Sequence, residues 1–135
     1  MFANGVDGFG AFYRQMKARC SNVGVCGDMG NSLFVDEGAE RFFAAYAEDI
    51  CHVHVKDYLI RTFSKAPSRM WYPTKGGRWL RETMVGDGDV DVTSCMDILQ
   101  QAGYQGTYAL ELSHPEPFEA GVAQAMEYLR QWEGK

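Results

Sequence analysis

The sequence has no apolar run approaching the roughly 20 residues of a membrane-spanning helix, and it has no clustered basic segment. Its opening stretch, MFANGVDGFG, lacks the basic and apolar regions of a secretory signal. A cytoplasmic chain is therefore expected, without a membrane partner. Acidic residues outnumber basic ones, 18 against 13, for a formal charge of −5. That balance disfavours nucleic acid as a partner. Cysteine is scarce: Cys20, Cys26, Cys51 and Cys95 are the 4 present, and no pair has CxxC spacing. A zinc knuckle and a thioredoxin-like site are thereby not indicated. Three of these thiols lie in apolar stretches and are expected to be reduced and to act as small hydrophobes.

Other familiar signatures are missing as well. Asp87, Asp89 and Asp91 begin like a calcium loop, but Val92 stands where the glycine belongs and Ile98 where the closing Glu belongs. Gly5, Gly8 and Gly10 do not form a dinucleotide fingerprint, and Thr74 to Gly77 is not a phosphate loop. These segments read as turns and caps.

What remains is a globular composition, 46% hydrophobic and 23% charged over 135 residues, enough for one domain with its own core. Phe9, Phe12, Tyr13 and Met16 recur at helical spacing and predict an amphipathic helix. Asn22 to Asp28 (NVGVCGD) is short, apolar and bounded by glycine, as a buried strand would be. Ala39, Phe42, Phe43 and Tyr46 repeat the helical period after an acidic start at Asp36 and Glu37. Ile50 to Val55 predicts a second strand. Val92, Cys95, Ile98 and Leu99 predict a helix capped by Asp91 and ended near Gly103. Thr107 to Leu112 predicts a third strand. Phe118, Val122, Ala125, Leu129 and Trp132 line a last helix with Pro117 near its first turn.

Strands alternating with helices predict a parallel sheet built from βαβ units. One segment, 58–90, breaks the rhythm with Pro67, Pro73 and several glycines around Trp71, Tyr72 and Trp79. It predicts a long, lid-like loop containing a short hairpin or helical turn.

Each predicted strand delivers a metal-capable side chain near its carboxyl end: Asp28, His54 and Glu111. Ligands of parallel α/β folds bind at that end of the sheet. A lone Asp after a strand is ordinarily a cap, and a lone His in a strand is ordinarily a core residue. Three such residues at equivalent positions argue otherwise, and a carboxylate inside TYALEL would be costly to bury unpaired. Two carboxylates and an imidazole suit Mn²⁺, Mg²⁺, Co²⁺ or Zn²⁺. His52 and His54 point to the same side of a strand.

The runs GDMGN (Gly27 to Asn31), HVHVKDY (His52 to Tyr58), GDGDVD (Gly86 to Asp91) and GYQGTYALE (Gly103 to Glu111) together resemble the sugar phosphate isomerase/epimerase family. That family belongs to the xylose-isomerase-like TIM barrels, which include AP endonucleases. The resemblance implies a partial (β/α) TIM-type barrel of about three parallel strands alternating with four helices, with one long loop. It also implies a divalent metal held by Glu, Asp, His and Glu. Asp28, His54 and Glu111 match the last three, and the first Glu would lie on a strand preceding the opening helix. The sequence therefore resembles the last part of a barrel, about half of the ~250 residues of a full one. The metal is expected to be weakly bound or absent.

The family's chemistry is metal-assisted proton transfer next to a carbonyl through an enediolate, with a sugar or sugar phosphate as substrate. Glu111 is the catalytic base that the resemblance implies. Asn31, His52, Lys56 and Asp57 are the substrate-binding candidates, Lys56 either facing an oxyanion or pairing with Asp57. With one carboxylate missing, the chain alone is expected to show little or no epimerase activity, and robust turnover would mean that another residue, such as His52 or His114, has taken the second role. Arg61, Arg69, Lys75 and Arg78 in the long loop read as solvated charges. Three functions compete: an isomerase or epimerase complete only with other chains, a non-enzymatic remnant that oligomerises, and a phosphodiesterase acting on abasic DNA, which the charge disfavours. A partial barrel would expose two sheet edges and an apolar inner face, so a homo-oligomer, most simply a two-fold dimer, is expected.

Overall fold

The computed structural model describes residues 5–112 and 118–133. Pro117 and His114 lie outside the described residues. The chain runs through α1 (Gly5–Lys17), β1 (Val25–Asp28), a short 3-10 helix (Asn31–Val35), α2 (Ala39–Tyr46), β2 (Ile50–Val55), β3 (Asp57–Arg61), β4 (Tyr72–Pro73), β5 (Trp79–Thr83), α3 (Val92–Gln101), β6 (Tyr108–Leu110) and α4 (Phe118–Glu133). Its order of helices and parallel strands is the predicted one, and the described strands close no barrel.

β1, β2 and β6 form a parallel sheet in the order β1-β2-β6. One face is covered by the helices. Val25, Val53 and Val55 point into the main core with Phe42, Phe43, Cys95, Leu99 and Ala125. Phe43 and Leu99 are wholly enclosed, which makes this face the main source of apolar burial. α1 joins through Val6, Phe9 and Tyr13, with Phe9 5.1 Å from the Phe42 ring. Phe12 is 59% exposed, so the apolar stripe is rotated away from the predicted one toward Val6. α4 is tied to α3 by Trp132 Nε1, which donates to Asp97 Oδ1 at 2.6 Å.

The opposite face differs from expectation. Cys26 pairs in register with His52, Asp28 with His54, and His54 with Ala109. Side chains opposite one another in register share a face, so the inner face carries thiol, imidazole, carboxylate and a methyl group. It is polar, not apolar. Cys26 and Cys51 are exposed and only Cys95 is buried, so the small-hydrophobe reading holds for Cys95 alone.

The segment 58–90 contains the expected short hairpin, β4–β5, but is more ordered than a loop. β3, β5 and β4 form a second, antiparallel sheet in the order β3-β5-β4. Leu33, Tyr58 and Leu80 bury a small second core beneath it. Asp36, expected to start a helix, instead closes the 3-10 helix with φ 61°. Its carboxylate accepts from Thr74 Oγ1 at 2.7 Å and Arg78 Nε at 2.8 Å, and from the Gly76 N–H, which clamps the β4–β5 turn. Burial works to raise the Asp36 carboxyl, but Arg78, Thr74 and Gly76 outweigh it and hold it below its ordinary value.

Of the acidic triplet, Asp91 supplies the cap read from sequence, whereas the side chains of Asp87 and Asp89 reach to other elements. Asp87 accepts from Gln124, Asp89 from the Ile60 N–H, and Asp91 caps α3 through the Ser94 N–H at 2.9 Å. Gly103 follows α3 at φ 77°, a conformation that suits glycine at a helix end. Arg61 pairs with Asp89 and Arg78 with Asp36, so neither is a free charge. Among the described residues no helix is long and apolar enough to cross a membrane.

Candidate functional site

The carboxyl end of the parallel sheet is built by three adjacent strands. Asp28 closes β1 and lies in register with His54 of β2. Glu111 follows β6 directly and donates its N–H to the Val55 carbonyl at 3.0 Å, which fixes its backbone beside β2. Parallel strands carry successive side chains alternately to the two faces, so these positions place Asp28, His54 and Glu111 together on the inner face. Each offers a ligand atom, and these atoms all lie within 4.8 Å of one another.

The carboxylates are oriented by different partners. Asp28 Oδ1 accepts the Gly30 and Asn31 N–H groups, each at 2.8 Å. Asp28 Oδ2 faces His54 Nδ1 at 3.6 Å. Glu111 Oε2 lies 2.9 Å from the same nitrogen. This oxygen is shielded from solvent, and a buried acceptor needs a partner.

Lys56 is the second cation of the site. Its Nζ lies 3.2 Å from Asp28 Oδ2 and 2.8 Å from Glu111 Oε2, with the side chain 8% exposed. Burying an ammonium costs several kcal/mol unless it is paired, and these two carboxylates pair it. Burial works to lower the Lys56 ammonium, but Glu111 and Asp28 outweigh it and hold it above its ordinary value. Lys56 in turn holds the Glu111 carboxyl below the ordinary glutamate value, against partial burial, with His54 adding to the effect. A Cβ on residue 30 would lie 2.6 Å from Lys56 Cδ and closer still to the Tyr58 ring, so glycine there makes room for the lysine stem. Burial pushes the Tyr58 phenol up to about 12, which keeps this wall of the site uncharged.

The remaining candidates are placed differently. His52 stacks edge-on against His54, ring centroids 5.3 Å apart, one step down the inner face. Asn31 borders a narrow cleft with Cys26, Asp28 and Ser32. Asp57 does not join the triad. Its buried carboxylate accepts the N–H groups of Tyr58, Gly86, Gly88 and Val90 at 2.8 to 3.1 Å. Burial raises the Asp57 carboxyl and these donors oppose the rise. The expectation of a substrate contact from Asp57 is corrected accordingly, and so is that of a Lys56–Asp57 pair, because each side chain is engaged elsewhere. Sequence reasoning missed Lys56 as a partner of both carboxylates, although period-two alternation along HVHVKD puts it on the side of His52 and His54. Nothing local signalled the supporting role of Gly30.

Comparison with known proteins points the same way. Residues 11–132 match the family described as xylose isomerase-like TIM barrel. The chain is 28% identical over 101 residues to inosose dehydratases of two Clostridium botulinum strains, Eklund 17B and Alaska E43, covering 75% of this chain. It spans 33% of the length of each of these curated relatives. The crystal structure of a xylose isomerase domain protein from Planctomyces limnophilus superposes with a TM-score of 0.74 at 23% identity, covering 96% of this chain and 43% of that one. Among the described residues the strands form two separate sheets that close no barrel, and the family match runs through both. The chain belongs to the xylose isomerase-like TIM barrel family.

Proposed function

We propose that this chain carries the proton-transfer face of a sugar isomerase or epimerase type of site, acting at the carbon next to a carbonyl of a sugar or sugar phosphate. The observation that carries this reading is the convergence of Asp28, His54 and Glu111 at the carboxyl end of the sheet, with their ligand atoms all within 4.8 Å of one another. The donor set of Asp28, His54 and Glu111, two carboxylates and an imidazole without thiolate, fits Mn²⁺, Mg²⁺, Co²⁺ or Zn²⁺. A divalent cation bound there supplies Lewis-acid polarisation of a carbonyl oxygen, which acidifies the neighbouring C–H. Glu111 accepts that proton at a carboxylate oxygen. His52 and Asn31 lie at the inner face and cleft, where they can hydrogen-bond substrate hydroxyls.

Dehydration of a polyhydroxylated ketone begins with the same loss of a proton next to a carbonyl. Similarity to the inosose dehydratases therefore supports this chemistry and adds a cyclic polyol ketone to the substrate class. Inversion at carbon needs a second group on the opposite face of the substrate, in addition to Glu111. The isolated protein is thus expected to exchange a proton on one face with little or no net epimerisation. The test is incubation with a ketose or an inosose and Mn²⁺ or Co²⁺ in D₂O, followed by NMR. Deuterium should enter at the carbon beside the carbonyl, and Glu111→Gln should abolish it. Absence of exchange with every ketose and inosose tried would overturn the reading.

A further inference from the structure

We infer that Lys56 is a built-in cation that competes with a divalent metal for the Asp28–Glu111 carboxylate pair, so that metal binds only by displacing the ammonium. This rests on the metal reading of the triad given above. The oxygens facing His54 Nδ1 are Asp28 Oδ2 and Glu111 Oε2. Lys56 Nζ contacts those same two oxygens at 3.2 and 2.8 Å. A single pair of oxygens thus faces both the imidazole nitrogen and the ammonium, and a metal seated between these oxygens and His54 Nδ1 meets Lys56 there.

Three features make the lysine a resident of the site. Its side chain is 8% exposed, so the ammonium has little water to retreat into without moving. Its stem lies against Gly30 and the Tyr58 ring, which fixes the approach of the head group. Asp57, the nearest alternative carboxylate in sequence, is engaged by four backbone N–H groups and offers no other berth. Two cations held against one pair of carboxylate oxygens repel each other strongly at contact distance. The ammonium also balances the carboxylates in the absence of metal, which lets Asp28 stay buried and ordered there.

The test is calorimetric titration of Mn²⁺ and Zn²⁺ into the full chain and its variants Lys56→Met, Lys56→Gln, Glu111→Gln and Lys56→Met/Glu111→Gln. Lys56→Met and Lys56→Gln should each bind at least tenfold tighter than the parent, and the gain should vanish in the double variant. Equal or weaker binding by both lysine variants, with parent binding still abolished by Glu111→Gln, would overturn the inference and leave the metal reading standing. Metal uptake indifferent to Glu111 in every variant would overturn the metal reading, and the inference with it. Should neither lysine variant fold, as judged by circular dichroism, the parent protein decides. Mn²⁺ should increase reductive methylation of Lys56 as read by mass spectrometry, and unchanged or reduced labelling would refute displacement.

Discussion

Asp57 is the residue whose replacement should damage the fold most for the fewest atoms changed. Its Oδ1 accepts the Tyr58 and Val90 N–H groups and its Oδ2 those of Gly86 and Gly88. The side chain is 1% exposed, so water cannot readily take its place. Asp57→Asn preserves the shape but turns one oxygen into an NH₂ group, which then faces two donors. Two charge-assisted bonds are lost, at about 1.5 kcal/mol each, for a total of about 3 kcal/mol. Asp57→Ala strands all four donors and should cost about 6 kcal/mol before any relief from entering water. Domains of this kind are stable by roughly 5–15 kcal/mol, so the alanine variant should be marginal or unfolded. Urea denaturation followed by circular dichroism measures the difference. At a slope of about 2 kcal/mol per molar, Asp57→Asn should lower the midpoint by about 1.5 M. A variant within about 0.5 kcal/mol of the parent would show that the loop from Gly86 to Val90 does not depend on this carboxylate, and would refute the account of Asp57 as its organising acceptor.

Asp91 caps α3, and its carboxyl is held below the ordinary value first by the Ser94 N–H. A depressed carboxyl contributes stability above the unfolded aspartate value of about 3.9 and loses it as pH falls through the lower folded value. Asp91→Ala should therefore cost about 1 kcal/mol near neutral pH and progressively less below about pH 4, as read by thermal unfolding across that range. Self-association is expected because β1 and β6 are the outer strands of the parallel sheet and open edges template pairing. With a polar inner face, the contact should use those edges or the surface around Trp71, Tyr72 and Trp79, where Tyr72 is 50% exposed. Sedimentation velocity at micromolar concentration should show a dimer, and a stable monomer there would refute this.

Much of the architecture was legible locally. Helical periodicity located each helix covering the parallel sheet, because burying one stripe of side chains leaves a 3.6-residue signal in any order of assembly. Asp91 and Gly103 marked the ends of α3 because capping is satisfied within a few residues of chain. Asp28, His54 and Glu111 could be singled out because strand ends in parallel sheets converge, whatever covers the sheet. Other features depended on contacts that no local pattern carries. The β4–β5 hairpin is the short hairpin expected in its segment, but its pairing with β3 and the clamp on its turn by Asp36, 38 residues from Thr74, were hidden. Phe12 could be placed outside only once the packing of α1 on α2 was known.

The pair Lys56–Asp57 shows the division most clearly. The sequence alone determines that both are polar residues at a strand end, and alternation sends their side chains to opposite faces. Tertiary structure decides what waits on each face. On one side are two carboxylates from β1 and from just beyond β6, brought together by sheet pairing. On the other is a ring of backbone N–H groups from the loop after β5. A charged side chain takes its role from the partners that neutralise it, and here those partners lie some 28 to 55 residues away along the chain, where only folding can bring them.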